Sequence, residues 1–242
     1  MKAVILAAGT GSRLVHLTRD LPKALVRVGE QALINHALNF VQAAGCSDVT
    51  VVGGFYFSKL ERHLAACGAE VHLFENKNFL KGNIFTLLRA LPELDDAFLL
   101  VNVDHIFPLR LAARLAHEVA AKQTVTAAVD FDRPLQQDDM KVSLTQDLKI
   151  ARISKGLHDF DAGYVGMTFV PAPAVTTYKA TAEAVAQENE DAVVEHILQR
   201  LVVDGHHPGI VDISGTRWLE IDNQNDLQNA ERILKWQPDF LA

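Results

Sequence analysis

Short β-branched runs alternate with stretches of helical periodicity through the first half of the chain, the pattern of βαβ units and hence of a mostly parallel sheet. Strands are predicted over residues 2–8, 49–53, 71–74, 98–103 and 124–129. Between the first two, Leu33, Ile34, Ala37, Leu38, Val41 and Ala44 recur at helical spacing, and Gly45 is placed to stop that helix. Its apolar stripe should cover one face of the sheet. The second half changes rhythm. Residues 141–144, 150–153 and 163–170 read as shorter strands of a meander around the polar turn Thr145-Gln146-Asp147, forming a flap or an antiparallel extension. A closing unit follows, with a helix over 192–203, strands near 210–213 and 218–221, and a last helix from about 223 to 236.

The expected fold is α/β: a mostly parallel, Rossmann-like sheet flanked by helices, with a small antiparallel extension in the second half. No internal repeat, low-complexity tract or linker interrupts it, so residues 1–242 are read as one domain. Composition narrows the class. With 49% hydrophobic residues the chain can bury a core, and a formal charge of −7 is the wrong sign for a partner with a nucleic-acid backbone. A small anionic ligand could still find a local basic pocket. No stretch approaches the roughly 18 to 20 apolar residues of a membrane span. The apolar start, Met1 to Ala8, stops at a glycine loop followed by Arg13 and reads as a buried first strand rather than a signal peptide. Cys46 and Cys67 lack metal or redox spacing, so they are read as core or helix-face residues of a cytoplasmic protein.

The candidate chemistry starts at Leu6-Ala7-Ala8-Gly9-Thr10-Gly11-Ser12-Arg13, directly after the first strand, where glycines let backbone N–H groups approach phosphate oxygens. A dinucleotide fingerprint would need a third glycine at Leu14, and a Walker loop would need an absent Gly-Lys-Ser/Thr. What remains is a glycine loop with its own arginine, and Pro22-Lys23 brings a second cation ten residues later. Two cations beside backbone donors suit a triphosphate; a strand-to-helix turn with solvated Arg13 and Lys23 is the plain alternative.

The string from Leu6 to Leu14, followed by Leu21-Pro22-Lys23-Ala24-Leu25-Val26, resembles the signature of the sugar-nucleotidyltransferase superfamily. Later segments look like the cytidylyltransferases of small polar alcohol phosphates, above all the CTP:inositol-1-phosphate cytidylyltransferases. These are Lys81-Gly82-Asn83, Asn102-Val103-Asp104-His105, Ile153-Ser154-Lys155-Gly156-Leu157, Phe160-Asp161-Ala162-Gly163-Tyr164 and Trp218-Leu219-Glu220-Ile221-Asp222, in family order over almost the whole chain.

Asp104 ends an apolar run and should stand at the carboxyl edge of a central strand, where open α/β sheets put their ligands. Asp222 ends a second short strand far away in sequence, and a fold that joins both ends would offer two hard oxygen ligands for Mg²⁺. The resemblance implies that role for both; the alternative is a helix cap, which Asp222 before Asn223 could supply. Glu220 points to the same side of its strand as Asp222, as a supporting group or further ligand, and His105 either meets the acceptor or packs beside the site. Gly82 and Asn83 open a helix, and the Asn amide carries the donor and acceptor that a cytosine edge requires, although a plain N-cap explains it equally.

The remaining assignments are implied by the resemblance. Lys141 would reach the reacting phosphates, and Asp161 and Gly163 would form the acceptor segment, with Lys155 either nearby or in an exposed turn. The loop from Leu6 to Gly11 would bind the nucleotide. His206-His207 sits in a turn by composition, Phe55-Tyr56-Phe57 packs over the sheet, and Ser12 lacks a legible His and Asp partner, so neither zinc nor nucleophilic catalysis is expected.

The implied reaction is attack by a phosphate monoester on the α-phosphorus of CTP, giving a CDP-alcohol and pyrophosphate. Such a monoester has a second pKa near ~6, so the nucleophile is already an anion and needs no general base. Catalysis would fall to Arg13, Lys23, Lys141 and Mg²⁺, which position two polyanions and neutralise their charge. Inositol 1-phosphate is the favoured acceptor. Phosphocholine, a phosphonate or a sugar 1-phosphate, with cytidylyl or uridylyl transfer, are the rivals, and a nucleotide-binding regulatory subunit is the non-enzymatic one. The oligomeric state stays open.

Overall fold

The computed structural model describes residues 1–242, the side chain of Val15 excepted. β1 (Lys2–Ala7) is apolar from Ala3 onward because it is covered on both faces, and its alternation divides the core in two. Ala3, Ile5 and Ala7 face one cluster, and Val4 and Leu6 face the other. The first cluster is filled by α2 (Leu33–Ala43), α3 (Phe57–Ala66), α5 (Leu109–Val119) and α8 (Gln224–Trp236). The second is filled by α4 (Ile84–Ala90), α6 (Val175–Glu188) and α7 (Glu195–Val203). The result is a three-layer sandwich. The predicted stop after α2 forms as read, with Gly45 N–H bonded to Gln42 O and Cys46 N–H to Val41 O.

The short α1 (Val15–Thr18) follows the glycine loop, and β2 (Arg27–Val28) pairs with β3 (Gln31–Ala32) as a separate ribbon. In the main sheet β1 lies between β4 (Asp48–Gly53) and β6 (Phe98–Asn102), parallel to both, and β5 (His72–Glu75) extends the β4 side. The chain thus runs outward from β1 through β4 and β5, then returns to the other side of β1. That reversal opens a crevice at the carboxyl ends of β1 and β6, the place where such sheets take their ligands.

Beyond β6 the sheet becomes mixed. The long β11 (Ala162–Val170) runs antiparallel to β6, to β8 (Thr126–Asp130) and to β9 (Lys141–Leu144). β9 carries β10 (Ile150–Ser154) at its edge, and β12 (Gly209–Asp212) adds to β8 in parallel. The register of β11 against β8 shifts between Tyr164 and Thr168, around Gly166, which has a φ of +67°. Two last short strands, β7 (His105–Ile106) and β13 (Leu219–Glu220), pair antiparallel with Glu220 opposite His105.

The antiparallel extension matches its expectation, with β9 over the predicted residues and β10 and β11 each within one residue. The helix expected from residue 192 begins only at Glu195, after a turn. α3 starts at the end of Phe55-Tyr56-Phe57, and α5 and α6 lie in stretches to which the periodicity assigned no helix.

Candidate active site

The little β7–β13 ribbon brings the two distant aspartates together. Asp104 lies just beyond β6, Asp222 just beyond β13, and Ile221 N–H donates to Asp104 O across the ribbon at 3.0 Å. Lys23 closes the arrangement. Its Nζ lies 2.7 Å from Asp104 Oδ2 and 2.6 Å from Asp222 Oδ1, so one ammonium spans both carboxylates. Pro22 supplies an extended approach to Lys23, and Gly11, at φ +65°, lets the glycine loop lie against the Lys23 Cβ. Arg13 adds a second bridge, from Asp222 Oδ2 at 2.8 Å to Asp138 Oδ2 at 2.9 Å.

The alternative reading of Asp222 as a helix cap is resolved by its neighbour. Asn223 caps α8, accepting from Asn225 and Asp226 N–H groups while Asp226 bonds back to Asn223 N–H. That reciprocal box leaves the Asp222 carboxylate for Lys23 and Arg13. Electrostatics favour the charged state of Asp104 and Lys23. Burial alone would push the Asp104 carboxyl up, but the Lys23 ammonium and His105 hold it well below the usual carboxylate range. Burial opposes charge on Lys23 as well, and Asp104 and Asp222 outweigh it and raise its pKa.

His105 is buried, with Nδ1 2.7 Å from Asp104 Oδ1 and Nε2 3.8 Å from Glu220 Oε1. Burial would lower its pKa; Glu220 and Asp104 more than offset that and raise it. The ring fits only because residue 166 is glycine, since a Cβ there would stand 2.7 Å from His105 Cε1 and 3.0 Å from Asn102 Nδ2. Glu220 also receives Arg133 Nη2 at 3.0 Å, and the Arg133 guanidinium stacks over Trp218 at 4.0 Å. His105 stacks on the same indole at 5.2 Å, and Trp218 Nε1–H donates to Asp130. These groups line one cavity of about 220 Å³ that also reaches Asn83, Lys155, Gly163 and Glu195.

Several expected residues are placed differently. Lys141 lies apart from this cluster. Its ammonium is buried under carbonyls of Gln136, Gln137, Asp139 and Lys155 at 2.8 to 3.2 Å, so it ties the 136–139 loop to the 155 turn and stands outside the cavity. Asp161 is exposed and accepts Leu144 N–H at 2.7 Å, which ties it to the end of β9. Gly163 does line the cavity, with Leu135 packed where a side chain would be.

Gly82 serves packing, since a Cβ would stand 1.9 Å from Ala192 O. Asn83 does not use its side chain as a cap; its Oδ1 accepts Val194 N–H at 2.9 Å. The pair therefore docks the turn before α7. Leu6, Ala7 and Ala8 are buried in or beside β1, and Gly9 and Thr10 follow in the loop that flanks the cavity, from which only Arg13 enters it.

Residues that the sequence reading passed over include Asp130, Arg133, Asp138 and Glu195. Asp130 had a visible signal as the acidic residue directly after a predicted strand. Arg133 and Asp138 lie in a polar loop that nothing in the sequence ties to Trp218 or Arg13.

Among the described residues no group of three or more Asp, Glu, His or Cys side chains is arranged to enclose a metal. Two carboxylates on one cation nevertheless suit Mg²⁺, which takes one or two protein carboxylates and completes its shell with water and substrate phosphates. Asp104 and Asp222 would hold it.

Relatives share this architecture. A phosphoglutamine cytidylyltransferase from Campylobacter jejuni is 25% identical, over 94% of this chain and 98% of its own length. A bifunctional IPC transferase and DIPP synthase from Rubrobacter xylanophilus is 26% identical over 97% of this chain, which spans 52% of that longer protein. The inositol-1-phosphate CTP transferase structure from T. maritima superimposes with a TM-score of 0.85 at 22% identity, covering 99% of this chain and 95% of that one. Residues 3–208 match the model of the MobA-like NTP transferase domain. That span takes in the glycine loop, Lys23 and Asp104, and the chain belongs to this family of nucleotidyltransferases.

Proposed function

We propose that the protein transfers CMP from CTP to a small polyol phosphate, inositol 1-phosphate first among them, with release of pyrophosphate. The observation that carries the reading is the single lysine spanning two aspartates from distant segments at the crevice between β1 and β6. It is a charge arrangement made for exchanging a protein cation against Mg²⁺ and phosphate oxygens. The polyol assignment draws on the inositol-phosphate transferases among the relatives and on the small, polar cavity beside the aspartates.

Mg²⁺ on Asp104 and Asp222 would supply Lewis-acid stabilisation of the phosphate charge. Arg13, half exposed at the rim, and Lys23, buried beneath it, bind and orient the triphosphate, the flanking loop from Ala8 to Gly11 offering backbone N–H groups. The attacking phosphate oxygen is already ionised at neutral pH, so the residues need only hold the two anions in line. The phosphocholine rival calls for an acidic or aromatic cage around a quaternary ammonium, the aromatic kind with an open ring face. Trp218 offers none, because Arg133 covers one face and His105 stacks on the indole as well. Both cysteines are free, which suits the proposed cytoplasmic setting, and among the described residues no helix is long and apolar enough to cross a membrane.

The test is a grid of four nucleoside triphosphates against inositol 1-phosphate, phosphocholine, phosphoethanolamine, phosphoglutamine and glucose 1-phosphate, scored by pyrophosphate release with Mg²⁺. CTP with inositol 1-phosphate is expected to give the highest kcat/KM. A maximum at UTP with glucose 1-phosphate, or no release from any pair, would sink the reading.

A further inference from the structure

The acidic side chains around the cavity are nearly all engaged. Asp104 and Asp222 share Lys23, Asp138 takes Arg13, Asp130 takes the Trp218 indole, Glu220 takes Arg133, and Asp139 accepts Gln136 N–H. Glu195 is the exception. It is 8% exposed, it lines the cavity, and among the described residues its carboxylate has no ion-pair partner and no hydrogen bond from another residue. A largely buried acid without a direct side-chain partner is costly unless something binds it.

Its position is built rather than accidental. Gly82 admits the Ala192 carbonyl against its own Cα, Asn83 Oδ1 fixes Val194 N–H, and α7 begins at the next residue with Glu195 in its first turn. Burial pushes the Glu195 carboxyl up, offset in part by its own backbone N–H and by the Lys155 ammonium. We propose that Glu195 is the acceptor-specificity residue, taking hydrogen bonds from hydroxyl groups of a polyol phosphate whose phosphate lies toward Asp104 and Asp222. This rests on the polyol reading above and names the residue that would enforce it.

An ammonium-bearing acceptor is the obvious competitor for an unpaired carboxylate. Two features of the same cavity oppose it. Lys155 lines the cavity and already offsets part of the Glu195 charge, and the Trp218 indole is already stacked with Arg133 and His105. Hydroxyls carry no such penalty, and vicinal hydroxyls can use both carboxylate oxygens.

The experiment compares the full-length wild type with Glu195→Gln, which keeps size and shape, using CTP and three acceptors: inositol 1-phosphate, cyclohexyl phosphate and phosphoethanolamine. Losing one or two charge-assisted hydrogen bonds should raise the KM for inositol 1-phosphate about 10- to 100-fold. The KM for CTP and the parameters for cyclohexyl phosphate, which has the ring without further hydroxyls, should hold. A merely structural glutamate would instead move all of these together, and a matching thermal midpoint confirms that the variant folds. An unchanged KM for inositol 1-phosphate in the variant overturns the Glu195 assignment alone. A wild type that uses phosphoethanolamine and not inositol 1-phosphate overturns the polyol reading and the hydroxyl assignment together.

Discussion

Replacing Lys23 by methionine tests the central charge arrangement through a stability readout that needs no assay of activity. Methionine keeps the length and apolar stem, so the substitution removes one ammonium and little else. Left behind are Asp104 Oδ2 and Asp222 Oδ1, which touch the same nitrogen at 2.7 and 2.6 Å and therefore face each other at close range. Breaking a buried ion pair by removing one partner costs about 3 to 5 kcal/mol. Here the cost is reduced, because the two carboxylates are about one-fifth exposed and keep other partners, His105 at 2.7 Å for Asp104 and Arg13 at 2.8 Å for Asp222. A loss of about 2 to 3 kcal/mol follows in metal-free buffer, which a domain stable by some ~5 to 15 kcal/mol survives.

Urea unfolding with chelator and then with rising Mg²⁺ reads the effect directly. In the variant, a free cation binds two carboxylates that no longer have an internal competitor, so Mg²⁺ should stabilise it more than the wild type. At a concentration a hundred times its dissociation constant the ion would restore ~2.7 kcal/mol, close to the whole loss. Equal Mg²⁺ dependence in the two proteins would refute the exchange of lysine for metal. So would a variant as stable as wild type in chelator, since it would mean that Lys23 relieves no repulsion between the aspartates.

Three further outcomes are expected. Gly166→Ala would drive a Cβ to 2.7 Å from His105 at a φ of +67°, and steric overlap with backbone strain should cost about 2 to 4 kcal/mol by urea unfolding and lower kcat through the displaced ring; an unperturbed midpoint would contradict the packing. Lys141→Met should loosen the 136–139 loop, seen as faster limited proteolysis there, with a loss of kcat at least ten times smaller than that of Lys23→Met. Burial pushes the Cys46 thiol up to about 11, so the folded state resists its ionisation, and stability complete below pH ~9 should fall by about 2 kcal/mol as pH rises toward that value. Cys46→Ala should flatten that fall, and exposed Cys67 should react with a thiol reagent long before Cys46.

The parts of this molecule that were legible in the sequence are those set by local periodicity and by position on a strand. β1 announces its burial through an unbroken apolar run, and Asp104 announces its place by following one. Lys141 and Asp161 show the limit. Both sit in segments whose residue types suit phosphate or hydroxyl binding, yet the fold turns each of them onto backbone, where four carbonyls hold the lysine and one N–H holds the aspartate. A sequence states which charges are present and cannot state which of them the main chain will consume. Glu195 is the converse case: an acidic residue in a helical first turn looks like ordinary dipole compensation. Its significance depends on what does not pair with it, a property of the folded cavity as a whole. The same reasoning applies to Gly82 and Asn83, which meet a carbonyl and an N–H from residues more than a hundred positions away. By docking the 191–194 turn, they couple the helix that opens beside β5 to the placement of Glu195. A substitution such as Asn83→Ala should therefore shift acceptor KM together with that of Glu195→Gln, and a change confined to the KM for CTP would return Asn83 to nucleotide recognition.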